Sequence, residues 1–261
     1  MNKIFTKKWI EHCHRNLFVL YTLAHLKQKA NVRGTVLGYL WWFIEPLLLI
    51  MLYSYVVGII FGHGGTDRIL KIAIGVTLWK WWSASITMAT SSFRRYKGIV
   101  TQVKMPISIL PISDVCGQTY LFIFGYILLQ ATLLYFGFVP DVFSLVLTVI
   151  SSVFIVSAIA VLMAILNVFI RDTAFLVGFG LRILFYVTPI IYDEKRVPVH
   201  YRWLVELNPL AHLVSYYNDS LLMTSHVSYT RDILVVLVAG IALWGAVLLC
   251  KKITPSIVRN V

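Results

Sequence analysis

The sequence predicts an all-α protein that crosses a membrane several times, on three observations. Hydrophobic residues fill 59% of the 261 positions and charged residues only 13%, against roughly half and a quarter in soluble domains. Apolar runs of about 20 residues, the length that spans a hydrocarbon core of about 30 Å as helix, recur along the chain. Lys and Arg cluster in alternate loops, as they do on the cytoplasmic side of membrane proteins. The expected architecture is six transmembrane helices, an N-terminal amphipathic interfacial helix, and re-entrant helices on the outer side between spans five and six.

Residues 1–33 form the first element. Phe5, Trp9, Cys13, Leu17 and Leu20 recur at helical spacing, with Lys7, Lys8, Glu11 and Arg15 largely elsewhere. Such a helix lies at the headgroup boundary or packs on another subunit. Its charges leave no uninterrupted apolar core of the kind a cleavable signal peptide needs. Residues 34–261 then form the transmembrane domain. Span one is expected over about 36–61, before the turn signal Gly62-His63-Gly64-Gly65, and span two over about 69–93. Span three covers about 107–138, and the Pro140-Asp141 turn leads to span four at about 142–170. Span five, about 173–192, breaks at Thr188-Pro189 and continues into a re-entrant stretch at 203–223. Span six covers about 233–249.

The net charge of +12 follows this topology. Basic residues from Lys3 to Arg33 precede span one; Arg94, Arg95, Lys97 and Lys104 follow span two; Lys251, Lys252 and Arg259 follow span six. By the positive-inside rule both termini and the 94–104 loop are cytoplasmic. The basic excess is therefore a membrane signal, and no nucleic-acid partner is expected. Cys13, Cys116 and Cys250 are odd in number and show neither disulfide nor metal spacing. The seven histidines are scattered, and no metal site is expected. No G-x-x-x-x-G-K-[ST], H-E-x-x-H or G-x-S-x-G motif occurs, so the chain is expected to have no catalytic residues and no cofactor of its own.

Four groups of residues stand out. The stretch from Arg171 to Leu210 stops short, turns at Pro189, passes a polar loop at Pro198 and becomes apolar again at Asn208-Pro209. Non-helical backbone at membrane depth needs protein or a water-filled cavity around it, so this segment points to a transport path. Arg94 to Pro111 combines basic residues with a short amphipathic stretch closed by Pro106 and Pro111, which suits a small helix on the cytoplasmic face where another protein can push. Trp41, Trp42 and Tyr53 in span one and Trp79, Trp81 and Trp82 in span two concentrate aromatic faces, either as interfacial anchors or as a lining for sugar rings. Glu45, Lys80 and Arg182 fall at similar depths at 1.5 Å per residue. Glu45 is expected to pair with Arg182 or Lys80, because intramembrane charges usually pair or face a wet cavity.

These blocks resemble the membrane subunits (permeases) of type-2 ABC transporters, in the branch that exports O-antigen, capsule and teichoic-acid polysaccharides. V-L-G-Y-L-W-W-F-I-E-P at 36–46, V-K-M-P-I-S-I-L-P at 103–111, and R-D with T-P-I-I-Y and N-P-L at 171–210 carry the resemblance. It implies a homodimer in the bacterial cytoplasmic (inner) membrane, with two copies of a separate nucleotide-binding ATPase subunit that holds the ATP and Mg. It implies a lipid-linked polysaccharide substrate, undecaprenyl-linked or otherwise. Leu37 and Gly38 would form an entrance loop, and Tyr39, Trp41, Trp42, Tyr53, Trp79, Trp81 and Trp82 would line the channel. Arg94, Arg95, Lys97, Gln102, Lys104, Met105 and Pro106 would couple to the ATPase. Pro189, Tyr192, Pro198, Asn208 and Pro209 would form the periplasmic gate. One stretch departs from the family: Ala24-His25-Leu26-Lys27-Gln28-Lys29-Ala30 lacks the Arg-Asp and Arg-Tyr pairs of many relatives. Export of lipid or drug is the alternative within transport, and an intramembrane glycosyltransferase the alternative outside it.

Overall fold

A computed structural model of the protein describes residues 20, 22, 40–60, 65–102, 105–194, 197–222 and 229–261. All of the expected interfacial helix of 1–33 but residues 20 and 22 lies outside the described residues, as do Leu37, Gly38, Tyr39, Lys104 and the side chain of Trp42. The described residues are almost all helical and contain no strand. In order they form α1 (Trp41–Tyr55) with a π-helical continuation (Val56–Ile60), α2 (Thr66–Thr90), and two short helices, α3 (Ser92–Arg95) and α4 (Lys97–Gln102). The long helices α5 (Ile109–Tyr135) and α6 (Val142–Phe169) follow, then α7 (Thr173–Val187), a 3-10 turn (Val199–Tyr201), α8 (Arg202–Glu206), α9 (Pro209–Leu222) and α10 (Tyr229–Asn260).

Among the described residues four helical stretches are long and apolar enough to cross a membrane: Phe43–Ile60, Ile109–Tyr135, Val142–Phe169 and Tyr229–Asn260. This is a multi-pass membrane protein. Helix α2 has the length, at 25 residues, but carries Asp67, Arg68, Lys71 and Lys80 and falls outside that set. It is instead the helix that the others surround, packing against α1, α5, α6, α7 and α9. Leu70, Ile74, Leu78, Trp82 and Ile86 are all within 2% of full burial. A helix enclosed by protein need not be apolar towards lipid.

Helix α7 ends at Val187, at the break expected within span five at Thr188-Pro189; its 15 residues span only about 22 Å at 1.5 Å per residue. Helix α10 runs through Lys251 and Lys252 to Asn260, so the last apolar run ends mid-helix and its basic end extends the same rod by about 16 Å.

Local chemistry explains the sharp turn between α5 and α6. Gly137 takes φ of +84°, where a Cβ would be strained. Its N–H donates to Leu134 O and that of Phe138 to Leu133 O, the paired bonds of a Schellman stop. Four residues later Asp141 caps α6, its carboxylate accepting from Ser144 N at 2.9 Å. Asp141 N donates to Ser220 O in α9, and Tyr229 donates its hydroxyl to the Asp141 carboxylate at 2.7 Å. One loop residue thus ties together the starts of α6 and α10 and the end of α9.

Beneath it lies a polar cluster that the hydropathy pattern does not reveal. Buried Ser144 donates to Asp232 at 2.6 Å and lies 2.7 Å from the Ser220 hydroxyl. Arg231 completes the cluster, paired with Asp232 and Asp219 and set over the Tyr216 ring at 4.3 Å. Backbone and hydroxyl donors, the Ser144 amide first, hold the Asp141 carboxyl below the usual carboxylate range. A depressed folded-state value stabilises above the unfolded value near 3.9 and loses that contribution as pH falls through the folded value. Asp141→Asn, which still caps, should therefore unfold with a flatter acid limb below about pH 4. Asp141→Ala should lose about 1 kcal/mol at neutral pH, read by thermal unfolding in detergent.

Candidate site: a membrane-depth cavity and the turn that closes it

The chain reverses between α1 and α2, so Glu45 and Lys80 are brought level from opposite directions. Lys80 Nζ lies 2.6 Å from Glu45 Oε2. Of the two partners that depth allows for Glu45, the structure selects Lys80. The Glu45 side chain is 59% exposed on the subunit, so the pair sits on an outward face between helices rather than inside the core.

That face opens into a cavity of about 450 Å³ between α1, α2 and α7. Its lining mixes aromatic faces with polar heads: Tyr53 from α1, Trp79, Lys80 and Ser83 from α2, and Arg182 and Tyr186 from α7. Phe185 braces the aromatic side, with its ring centroid 5.3 Å from Tyr53 and 5.7 Å from Trp79. The sequence expectation thus divides among the candidate lining residues. Tyr53, Trp79, Lys80 and Arg182 converge on the cavity, and Trp41 is exposed.

Trp81 and Trp82 do not converge there. Trp81 is stacked on Phe122 at 4.2 Å and 16° and donates its indole N–H to Thr119. Trp82 is fully buried near Tyr217. The reason is helical geometry: a W-K-W-W run spans all sides of α2, and only the face of Trp79, Lys80 and Ser83 points to the cavity. Both rings are packing within the subunit, which corrects their expected lining role. Phe185, Tyr186, Ser83 and Thr87 are lining residues that the sequence reading missed. The spacing of Leu181, Arg182, Phe185 and Tyr186 along one face of α7 was the available signal.

Above the cavity, α7 stops at a turn built from the T-P-I and N-P-L segments. The Thr188 hydroxyl donates back to Leu184 O and accepts from Asn208 Nδ2 at 2.9 Å. Asn208 Oδ1 accepts from Leu210 N at 3.0 Å, capping α9 where Pro209 takes the first helical position. One buried amide therefore stops one helix, starts another and joins them. Tyr192 donates its hydroxyl to Val187 O at 2.6 Å, which folds the turn onto the end of α7. Ile190 presses into α2 where Gly75 leaves room: a Cβ at Gly75 would lie 2.7 Å from Ile190 Cγ2. Pro198 is exposed in the loop beyond.

Asn208→Asp keeps the cap and loses the amide donor, whereas Asn208→Ala loses both. The expected losses of stability are about 1 kcal/mol for Asp and about 2 kcal/mol for Ala, measured as denaturation midpoints of the purified protein. Equal losses would show that the cap on Leu210 N contributes nothing, and an unchanged midpoint for Asp that the Thr188 bond contributes nothing.

At the opposite end, the segment expected to meet another protein is split into α3 and α4. Its two arginines turn towards their own subunit. Arg94 donates to Val168 O at 3.0 Å, and Arg95 pairs with buried Asp114 at 3.5 Å. These bonds fix the segment to α6 and α5. Lys97, Gln102 and Pro106 remain exposed, and Met105 is half-buried. Among the described residues no cluster of His, Cys, Asp or Glu has the arrangement to hold a metal.

The sequence profile of the ABC-2 type transporter family matches residues 19–222. Among curated relatives, the O-antigen export system permease protein RfbA of Klebsiella pneumoniae is 26% identical over 81% of this chain and 82% of its own length. A second Klebsiella pneumoniae protein of that name is 27% identical over 75% and 77%. The protein of that name from Myxococcus xanthus is 25% identical over 76% of this chain and 78% of its own length.

Proposed function

The chain belongs to the ABC-2 type transporter family, and we propose that it is the membrane-spanning subunit of an ATP-driven exporter of lipid-linked polysaccharide, of O-antigen or capsule type. The observation that carries this reading is the cavity. Tyr53, Trp79 and Tyr186 offer flat apolar faces, while Lys80, Arg182, Ser83 and Thr87 offer hydrogen bonds at the same depth. A sugar chain presents both kinds of surface, and a purely apolar lipid or drug would gain nothing from the charged wall. The O-antigen export permeases among its relatives support the same cargo.

In this reading two copies of the chain sit side by side in the bacterial inner membrane, with their cavities facing a shared path. Each has six spans, α2 and α7 completing the set, and both termini are cytoplasmic. Two ATPase subunits, which hold the ATP and Mg, dock beneath α3 and α4. Arg94 and Arg95 transmit their movement because they tie the docking segment to α6 and α5. Helices α8 and α9 re-enter from the outer side and, with the Thr188–Asn208 turn, close the path. Leu37 and Gly38 would admit the lipid-linked phosphate, and the chain itself catalyses nothing.

The reading is tested with inverted membrane vesicles that carry this chain and its ATPase subunit. Added lipid-linked polysaccharide should become resistant to external glycosidase when ATP is supplied, and remain sensitive without ATP or with the ATPase alone. Protection that is independent of this chain would overturn it.

A further inference from the structure

A second, smaller pocket of about 160 Å³ lies one helical turn beyond Phe185, between the start of α2, the Pro189–Glu194 turn and α9. Its wall carries Arg68, Lys71, Asp193, Glu194, Asn218 and Asp219. Arg68 is paired with Asp193 at 3.2 Å, which holds the turn against α2. We infer that this pocket is an outer subsite for a single sugar ring of the exported chain, separate from the membrane-depth cavity; the inference rests on the cargo and orientation proposed above.

The chemistry of the wall narrows the ligand. Two cations face three carboxylates, so the pocket has no net positive field to favour a phosphate. The carboxylates do not converge as metal ligands among the described residues. Ligands with both donors and acceptors at short spacing remain. Two buried atoms on this wall, Arg68 Nε and Asn218 Oδ1, have no hydrogen-bond partner among the described residues. One donates and the other accepts, and a sugar hydroxyl does both. A buried polar group left unmade costs free energy that a partner recovers. Because both atoms are shielded from solvent, ring binding would be accompanied by rotation of these side chains. The volume equals roughly five waters at about 30 Å³ each, which suits one ring held edge-on and not an extended oligomer. Position completes the case, since residues four apart on α7 and its turn, Phe185 and Pro189, line the inner cavity and this pocket in succession.

The test uses the complex of this chain with its ATPase subunit in nanodiscs. The probe is the single repeat unit released from the host's surface polysaccharide by mild acid, and binding is read by saturation-transfer NMR. Wild type should show transfer to ring protons. Arg68→Lys, which keeps a cation for Asp193 but loses the Nε donor, and Asn218→Ala should each weaken binding at least tenfold. Ser215→Trp, which fills the pocket from α9, should abolish it while the complex still assembles. No transfer in wild type, or unchanged affinity in all three variants, overturns the subsite. If those same complexes carry polysaccharide into vesicles normally, the subsite alone fails and the export reading stands. If ATP drives no uptake even in wild type, the export reading fails and takes the subsite with it.

Discussion

Reversing Glu45 or Lys80 alone is expected to abolish export, and reversing both together to restore much of it. The two side chains are 2.6 Å apart between α1 and α2, and Glu45 is on an outward face. Removing one partner leaves the other as an isolated charge in a water-poor setting. A lone charge at the centre of a spanning helix costs up to roughly 2.5–3.5 kcal/mol on insertion scales. At about 1.4 kcal/mol per tenfold change, that is at most roughly 60- to 300-fold in the population of correctly placed helices. Glu45→Lys and Lys80→Glu should therefore each reduce surface polysaccharide to background and lower the amount of folded subunit. The double exchange keeps the pair with its ends swapped and should recover at least a third of both. Arg182 lines the same cavity, so Glu45→Lys combined with Arg182→Glu serves as the contrasting pair and should give no recovery.

Gly75→Ala is expected to disturb the outer turn, and Ile190→Ala to suppress the effect. Replacing a mid-helix glycine by alanine ordinarily gains about 0.5–1 kcal/mol. Here the new Cβ would meet Ile190 Cγ2 at 2.7 Å and Cγ1 at 3.2 Å. Ile190 is 3% exposed and its backbone N–H is bonded to Thr188 O, so it has little room to retreat. Overpacking of this kind costs about 1–3 kcal/mol, which outweighs the helix gain. The net result should be a protein less stable by about 1–2 kcal/mol, with faster proteolysis at the 192–198 loop. Shortening Ile190 opens the space, so the double variant should be more stable than Gly75→Ala alone. Additive losses would show that the two residues do not share the contact.

The fold was legible where periodicity and punctuation agreed. Helices α5 and α6 fall within a few residues of their expected bounds, because Gly137 and Asp141 mark the turn chemically as well as by hydropathy. Helix α2 was legible by length, but its central position was not: its sequence gives a span of ordinary length, and only packing shows that other helices enclose it. Helix α10 runs beyond the expected end of span six at 249, because a basic, polar sequence continues a helix as readily as it leaves a membrane.

The site was legible in part for the same kind of reason. Depth counting placed Glu45 level with both Lys80 and Arg182, yet rotation about the helix axis decides which is met, and counting does not fix rotation. That rotation also separates Trp79 from Trp81 and Trp82. The joint between Thr188 and Asn208 links residues 20 apart, and sequence marks each as a breaker without pairing them. Gly75 went unnoticed because the importance of a glycine inside a helix depends on what approaches it.

The central claim is that this chain moves finished polysaccharide across the membrane rather than making it. Its most direct test is to inactivate the chain in its host and locate the polymer with a specific antibody, in intact and in permeabilised cells. Polymer should be absent from the surface and accumulate inside, still attached to its lipid. Normal surface polymer, or loss of the polymer from both compartments with its synthetic enzymes intact, would contradict it.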